Sequence, residues 1–438
     1  MNTSRQTKPA SHLWLDAIPQ NWTETRLRFV ANVSNSNVDK KSYEGQVPVR
    51  LCNYTDVYYN ERIEPELEFM EATATPEEIK KFELREGDVI ITKDSEDPTD
   101  IGVPSLVLED MPGVVCGYHL SVIRTSDPIT AAFLQYSIMS HINKAQLYVD
   151  TPGVTRFGLD QDAIKSIVIL LPPSEERRQI VEMLRNETGR IDGLIEKKTR
   201  FIALLKEKRA AVIDHAVTKG IDRNAAMKPS GVDWVGDIPA HWDTPRIATL
   251  FRQAFRKPDT DLPVLSVSIH NGVSDGELSD EERDRKVALS EDRTKYQGVE
   301  PGDLVYNMMR AWQGAFGAVA VSGLVSPAYV VARPIAEFRT KFLEHQLHTK
   351  SAAEEIRRFS RGIADFRMRL YWEYFRDIRV CLPPLAEQDQ ILSYVEHETA
   401  RIEGLIEKTE RSIALLKEKR AALITAAVTG KIDVKAAA

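Results

Sequence analysis

Arg-Ile-Asp-Gly-Leu-Ile-Glu-Lys at residues 190–197 leads into Ile-Ala-Leu-Leu-Lys-Glu-Lys-Arg-Ala-Ala at 202–211 and Ala-Val-Thr at 216–218. The chain writes this stretch twice. It returns as Arg-Ile-Glu-Gly-Leu-Ile-Glu-Lys at 401–408, Ile-Ala-Leu-Leu-Lys-Glu-Lys-Arg-Ala-Ala at 413–422 and Ala-Val-Thr at 427–429, displaced throughout by 211 residues. Stacked solenoid units have periods of roughly 20–50 residues. A displacement this long describes two halves of one plan.

The repeated stretch reads as a long helix. Ile180, Leu184, Ile191, Leu194, Ile202, Leu205, Val212 and Ala216 follow at spacings near three, four and seven, and the positions 211 further on are all apolar: Ile391, Val395, Ile402, Leu405, Ile413, Leu416, Leu423 and Ala427. That is a heptad-like seam on a charged helix. Each copy begins after a double proline, Pro172-Pro173 or Pro383-Pro384, and carries Glu175 and Glu176, or Glu387, at the positive end of the helix dipole. Each stops at a glycine, Gly220 or Gly430. About 45 residues at about 1.5 Å each make a rod of roughly 65 Å. A narrow seam on so long a rod needs a second rod, and the duplicate is the obvious partner. Two ordinary surface helices are the alternative, but simple packing would let their sequences drift apart. Gly193 and Gly404 hold the same place in both copies. Mid-helix glycine costs about 1 kcal/mol relative to alanine, so either a close approach of two backbones or inheritance through duplication explains them.

A chain of 438 residues, 42 % hydrophobic, suits two to four domains with buried cores. No run of 18 apolar residues offers a membrane span. Residues 1–11 are polar, lack an apolar signal core and read as a flexible tail, so no secretion is implied. Three scattered cysteines, Cys52, Cys116 and Cys381, fit a reducing cytoplasm and no disulfide framework or zinc ribbon. The net charge is −7, with −9 in residues 1–170 and −1 in residues 231–381. Contact with a polyanion must therefore be local or lean on a partner protein.

The blocks between the rods also match. Trp14, Ile18-Pro19 and Trp22 correspond to Trp234, Ile238-Pro239 and Trp242, aromatics expected to pack rather than bind. Val47–Leu51 matches Leu262–Ser266, and Glu86-Gly87-Asp88-Val89-Ile90-Ile91 matches Pro301-Gly302-Asp303-Leu304-Val305-Tyr306 as a turn feeding a strand. After these strands the blocks diverge, Thr92-Lys93-Asp94-Ser95 against Asn307-Met308-Met309-Arg310-Ala311-Trp312-Gln313. Each block closes with a helical run, 130–147 or 340–358, then a glycine loop, then a strand, 167–171 or 378–382. Each is a mixed α+β domain of about 150 residues.

Catalytic motifs are absent. There is no GxxxxGK[ST] phosphate loop, no Asn/Asp-Pro-Pro-aromatic tetrad and no HExxH pair. Glu78-Ile79-Lys80 has nuclease-like spacing but no preceding catalytic aspartate, and reads as a solvated helix. Gly314-Ala-Phe-Gly317 lacks the strand–loop–helix context of a cofactor loop. No catalytic residue and no metal site is expected. What remains is a binding protein with two similar heads joined by antiparallel rods. Double-stranded DNA with two half-sites suits that geometry.

Two variable blocks that open with Ile-Pro-x-x-Trp and end in Leu-Pro-Pro, alternating with near-identical helices ending Lys-Arg-Ala-Ala…Ala-Val-Thr, resemble the specificity subunit of Type I restriction–modification systems over residues 12–432. The resemblance implies an α+β fold class: two similar target recognition domains separated by two long α-helices forming an antiparallel coiled coil with pseudo-two-fold symmetry. The expected order is a tail (1–11), recognition domain 1 (12–172), spacer helix 1 (173–220), a linker (221–231), recognition domain 2 (232–383), spacer helix 2 (384–430) and a tail (431–438). It further implies a cytoplasmic, non-catalytic subunit that holds no cofactor. Its partners would be double-stranded DNA, two modification (methyltransferase) subunits that bind S-adenosylmethionine, and restriction subunits that use ATP and Mg. The rods' outer charged faces are candidates for docking those subunits.

Arg and Lys favour guanine, Asn and Gln favour adenine. In the first block Asn53, Tyr54, Lys93, Ser95 and Arg156 are the DNA-binding candidates, all on loops after matched strands or glycines. In the second they are Met309, Arg310, Gln313, Arg357, Arg358, Arg361, Arg367 and Arg369. Arg357, Arg358 and Arg361 with Phe359 and Phe366 form a basic-aromatic patch suited to phosphate. Two other classes stay open: a protein scaffold with two interaction domains, and an enzyme of unfamiliar motif.

Overall fold

The computed structural model describes residues 6–11, 15, 17–97, 100–149, 151, 157–269, 272–279, 281, 292–362 and 368–433. Trp14 and Phe366 lie outside them. The chain divides into two compact units, one of residues 1–199 and 410–438, the other of residues 200–409. The boundary cuts both long helices, Ser174–Lys219 (46 residues) and Leu385–Val428 (44 residues). Each unit is therefore an α+β domain with a piece of each helix. Among the described residues no helix is long and apolar enough to cross a membrane.

Within each unit the helix pieces pack antiparallel. In the first, Ile180, Val181 and Leu184 share a core with Ile424, Ala427 and Val428, and Arg420 Nε meets Asp192 Oδ1 at 2.9 Å. In the second, Ala216 and Val217 share a core with Ile391 and Val395, and Arg209 meets Glu403 at 3.2 Å. Asp192 and Arg209 moved on by 211 become Glu403 and Arg420, so the two ion pairs are one contact written twice.

The seam differs from the heptad reading at one position per copy. Leu194 and Leu405 stand 41 % and 38 % exposed, while Ile195 and Ile406 are half-buried. Thr188 and Thr409 are buried, and each hydroxyl donates to a carbonyl four residues back, Leu184 O or Leu405 O, at 2.7 Å. A straight 3.6-residue helix drifts off a strict seven-residue repeat, so the buried stripe steps sideways. Gly193 and Gly404 also correct an expectation. A Cβ at either would meet nothing within 4 Å, so no backbone approaches closely there. Alanine at both sites is predicted to stabilise the protein by up to about 1 kcal/mol each, read from denaturant unfolding.

The two domains share a four-stranded antiparallel sheet. Its order is Asn32–Asn35, Leu120–Arg124, Asp88–Thr92, Pro104–Val107 in the first and Phe251–Gln253, Tyr329–Pro334, Leu304–Asn307, Phe316–Ala318 in the second. The first adds Arg62–Ile63, parallel to Pro104–Val107, and a separate sheet of Val114–Cys116, Val47–Cys52 and Met70–Ala74. Leu262–Ser266, expected to match Val47–Leu51, forms only an isolated bridge, Val264 to Leu324. At the start of the same inner strand the buried Asp88 pairs Arg124 at 2.6 Å and the buried Asp303 faces Arg256 at 3.5 Å and Arg333 at 4.0 Å.

The helical runs before each glycine loop are broken. Pro128–Met139 and His141–Val149 flank Ser140, and Thr340–Leu347 and Lys350–Phe359 flank His348 and Thr349. Ser140 and Thr349 take extended backbone, and Thr349 accepts from Ala352 N–H, so a hydroxyl N-cap restarts each helix.

The Ile-Pro-x-x-Trp phrases are packing devices. Trp22 donates its indole N–H to Glu176 at 3.0 Å, and Trp242 donates to Glu387 at 3.1 Å, each glutamate in the first turn of a long helix. The tail reading of residues 1–11 is corrected at Thr7–Pro9, which pair with Ala17–Pro19, and the expected linker holds Met227–Pro229 paired with Asp237–Pro239. A lysine-proline pair stands in both strands, a duplication the sequence reading passed over.

Gly220 and Gly430 end the long helices at φ +78° and +74°. Both favour glycine, but their surroundings differ. A Cβ at Gly430 would stand 2.4 Å from Pro19 Cγ, whereas one at Gly220 meets Trp242 at 3.4 Å. Gly220→Ala is predicted to cost about 1–2 kcal/mol from the left-handed backbone alone, and Gly430→Ala more, because a rigid proline ring must also move. Equal losses on denaturation would contradict this reading.

Candidate nucleic-acid interface

In the first unit the central strand Asp88–Thr92 runs out into Lys93, Asp94 and Ser95. Asp94–Ser95 pair antiparallel with Phe157–Gly158, which ties the loop to a segment more than 60 residues further along the chain. Lys93 N–H donates to His119 O at 3.0 Å, and its ammonium donates to Ser36 O at 3.2 Å. His119 Nδ1 lies 2.7 Å from Asp94 Oδ2. Asn53 starts the short helix Tyr54–Tyr58, its N–H donating to the Asp56 carboxylate at 2.7 Å. Tyr54 hydrogen-bonds Ser95 and stacks on Tyr58, with ring centroids 5.4 Å apart and planes at 16°. The Tyr58 hydroxyl donates to Asp100, and Tyr59 meets its ring edge-on at 5.0 Å.

The hydrogen bond to Asp100 pushes the Tyr58 hydroxyl up to about 12, with burial adding. Burial raises Tyr54, against the pull of Ser95, and also raises the Asp56 carboxyl. The structure thus gathers Asn53, Tyr54, Lys93 and Ser95 at one place. Arg156 lies outside the described residues. Sequence reasoning missed Tyr58, Asp94, Asp100 and His119. The Tyr-x-x-x-Tyr-Tyr run at 54–59 was the available signal, since a four-residue spacing stacks rings on one helix face.

In the second unit the matched strand Leu304–Asn307 feeds the Asn307–Ala315 loop. The loop is closed by its own backbone. Arg310 N–H donates to Asn307 O at 3.0 Å, Asn307 N–H to Ala315 O at 3.0 Å, and Ala315 N–H to Arg310 O at 3.1 Å. The buried Asn307 side chain accepts from Met309 N–H at 3.0 Å, and Gly314 turns the chain at φ +98°. On this base Arg310 Nε donates to Gln313 Oε1 at 3.1 Å, and Met309 is exposed.

The helix Lys350–Phe359 supplies the second layer. The Arg357 guanidinium lies 5.4 Å over the Trp312 ring, and Arg358 pairs Glu355 at 2.8 Å. Arg361 and Arg369 exchange backbone hydrogen bonds at 2.8 and 2.9 Å, and Arg361 lies 4.5 Å over the Tyr374 ring. Leu370 N–H donates to Met308 O at 2.9 Å, tying this bridge to the Asn307–Ala315 loop. Met309, Arg310, Gln313, Arg357, Arg361 and Arg369 therefore come together, with Arg358 on the adjoining helix. Arg367 lies outside the described residues. The aromatic partners are Trp312 and Tyr374; Phe359, expected in that role, packs half-buried against the core.

One scaffold position thus carries opposite chemistry. The loop after the shared strand presents Asp94, Glu96 and Asp97 in one domain and Arg310 in the other. Stacked guanidiniums suit phosphate and base edges, and carboxylates suit amino donors.

Residues 19–200 match the model of the Type I restriction modification DNA specificity domain. A Methanocaldococcus jannaschii protein named as the MjaX specificity subunit of a type I restriction enzyme is 22 % identical over 229 residues, 52 % of each chain. The chain therefore spans about half the length of that relative. The fold is similar to the HsdS subunit from Thermoanaerobacter tengcongensis (TM-score 0.51, 17 % identity, 95 % of this chain and 98 % of that one). It is also similar to a chain from work on complex assembly and conformational transition of the type I R-M system (TM-score 0.66, 17 % identity, 95 % and 99 %).

Proposed function

We propose, from the match of residues 19–200 to the type I restriction specificity domain and the likeness to a type I specificity subunit, that this chain selects a bipartite double-stranded DNA sequence for a restriction–modification complex. Each domain reads one half-site and the paired helices set the spacing. The observation that carries this reading is the shared four-stranded scaffold whose equivalent loops bear unlike side chains, because a conserved frame with divergent tips is what two different half-sites require. Residues 12–172 and 232–383 are the proposed recognition domains. Two methyltransferase subunits and the restriction subunits are the proposed partners. S-adenosylmethionine, ATP and Mg belong with them, and this chain contributes no catalytic group.

The acidic first cluster fits a clamp in which the methyltransferase subunits supply much of the phosphate contact. Capture on duplex DNA with and without those subunits tests the whole reading. Sequence-selective capture by the complex is expected, with weak capture and a shallow salt dependence for the chain alone. Failure of the complex to prefer any sequence would favour a protein scaffold instead.

A further inference from the structure

Resting on that DNA-reading function, we infer that Arg310 reads a guanine in the half-site of the second domain, and that Gln313 is the residue that positions it. Three observations carry this. The backbone under Arg310 is rigid: three main-chain hydrogen bonds, the buried Asn307 and the left-handed Gly314 fix the Asn307–Ala315 loop before any ligand arrives. The side chain is oriented too, because its Nε–H donates to Gln313 Oε1 at 3.1 Å on the exposed face of the loop. A guanidinium held at Nε presents its two terminal nitrogens as a parallel pair of donors. That pair matches the O6 and N7 acceptors of guanine and no other base edge in the major groove.

Gln313 has a different part from the one its residue type suggests. With its carbonyl oxygen committed to Arg310, it is less suited to the two-point contact with adenine. It acts through the arginine. Arg357 over Trp312 and Arg361 over Tyr374 flank this reader as stacked, pre-oriented cations suited to phosphate. The first domain has Ser95 and Glu96 where the second has Arg310 and Ala311, so its half-site is read by other chemistry.

The test uses the complex with its methyltransferase subunits and a duplex pool randomised in sequence. Wild type is expected to enrich a bipartite site. Arg310→Ala relaxes selection at one guanine of one half and leaves the remaining positions unchanged. With wild type, 7-deazaguanine at that position, which lacks N7, weakens binding about tenfold; with Arg310→Ala it has no effect. Gln313→Ala blurs the same position alone, and Gln313→Glu, which keeps the acceptor, restores it. A uniform loss of affinity in Arg310→Ala with an unchanged selection profile, or full tolerance of 7-deazaguanine by wild type, overturns the assignment. If wild type enriches no site at all, the DNA-reading function itself fails, a result distinct from both.

Discussion

Trp242→Ala lowers the stability of the second unit by about 3–5 kcal/mol, the cost of emptying a large aromatic site in a packed core. Trp242 is fully buried, meets Phe342 edge-on at 6.2 Å and 77°, and shares its core with Ile391 and Val395 of a long helix. Its loss also removes the indole donor from Glu387, whose second oxygen accepts from His241 at 2.6 Å. Trp242→Phe keeps most of the apolar area and loses the donor, so it costs less, about 1–3 kcal/mol. Trp22→Ala should match Trp242→Ala in the first unit, because Trp22 repeats the arrangement with Glu176 and Phe133. Denaturant unfolding followed by probes in each unit measures both. A loss below about 1 kcal/mol in either would mean that the entry motif does not anchor its domain.

Acidification from pH 6.5 to 4 removes about 3 kcal/mol from the second unit through His345. Burial pulls this imidazole down to about 4. The nearby Glu344 carboxylate opposes the shift, and Lys341, His348 and Arg209 reinforce it. The folded state therefore keeps His345 neutral over a window in which the unfolded chain binds a proton. Where the unfolded state binds more protons, stability falls as pH falls. The contribution is complete above pH 6.5 and gone below about pH 4. His345→Gln should flatten the pH dependence of unfolding across that window. An unchanged slope would show that other groups carry it.

The duplication at 211 residues was legible because identical words need no structure to be seen. It implied the two long helices, their ends at Gly220 and Gly430, and the alternation of domains and rods. The apolar spacing also implied a partner for each helix, since a stripe that narrow cannot be buried alone. Much of the candidate interface was legible as residue types, because Arg, Asn and aromatic side chains on loops after matched strands have few structural duties.

Tertiary structure decided which side chains meet. Whether Arg357 rests on Phe359 or on Trp312, whether Gln313 faces a ligand or Arg310, and whether Glu176 is a dipole charge or the acceptor for Trp22 depend on contacts across distant segments. Periodicity records only the face a residue occupies on its own element. The seam showed the same limit: Leu194 and Leu405 fit a seven-residue repeat and yet face outward, because packing of one helix on another selects the rotation. The chain alone thus determined the number and kind of its parts. The partner of each polar tip was fixed only when the parts closed on one another and buried groups had to find the nearest donor or acceptor.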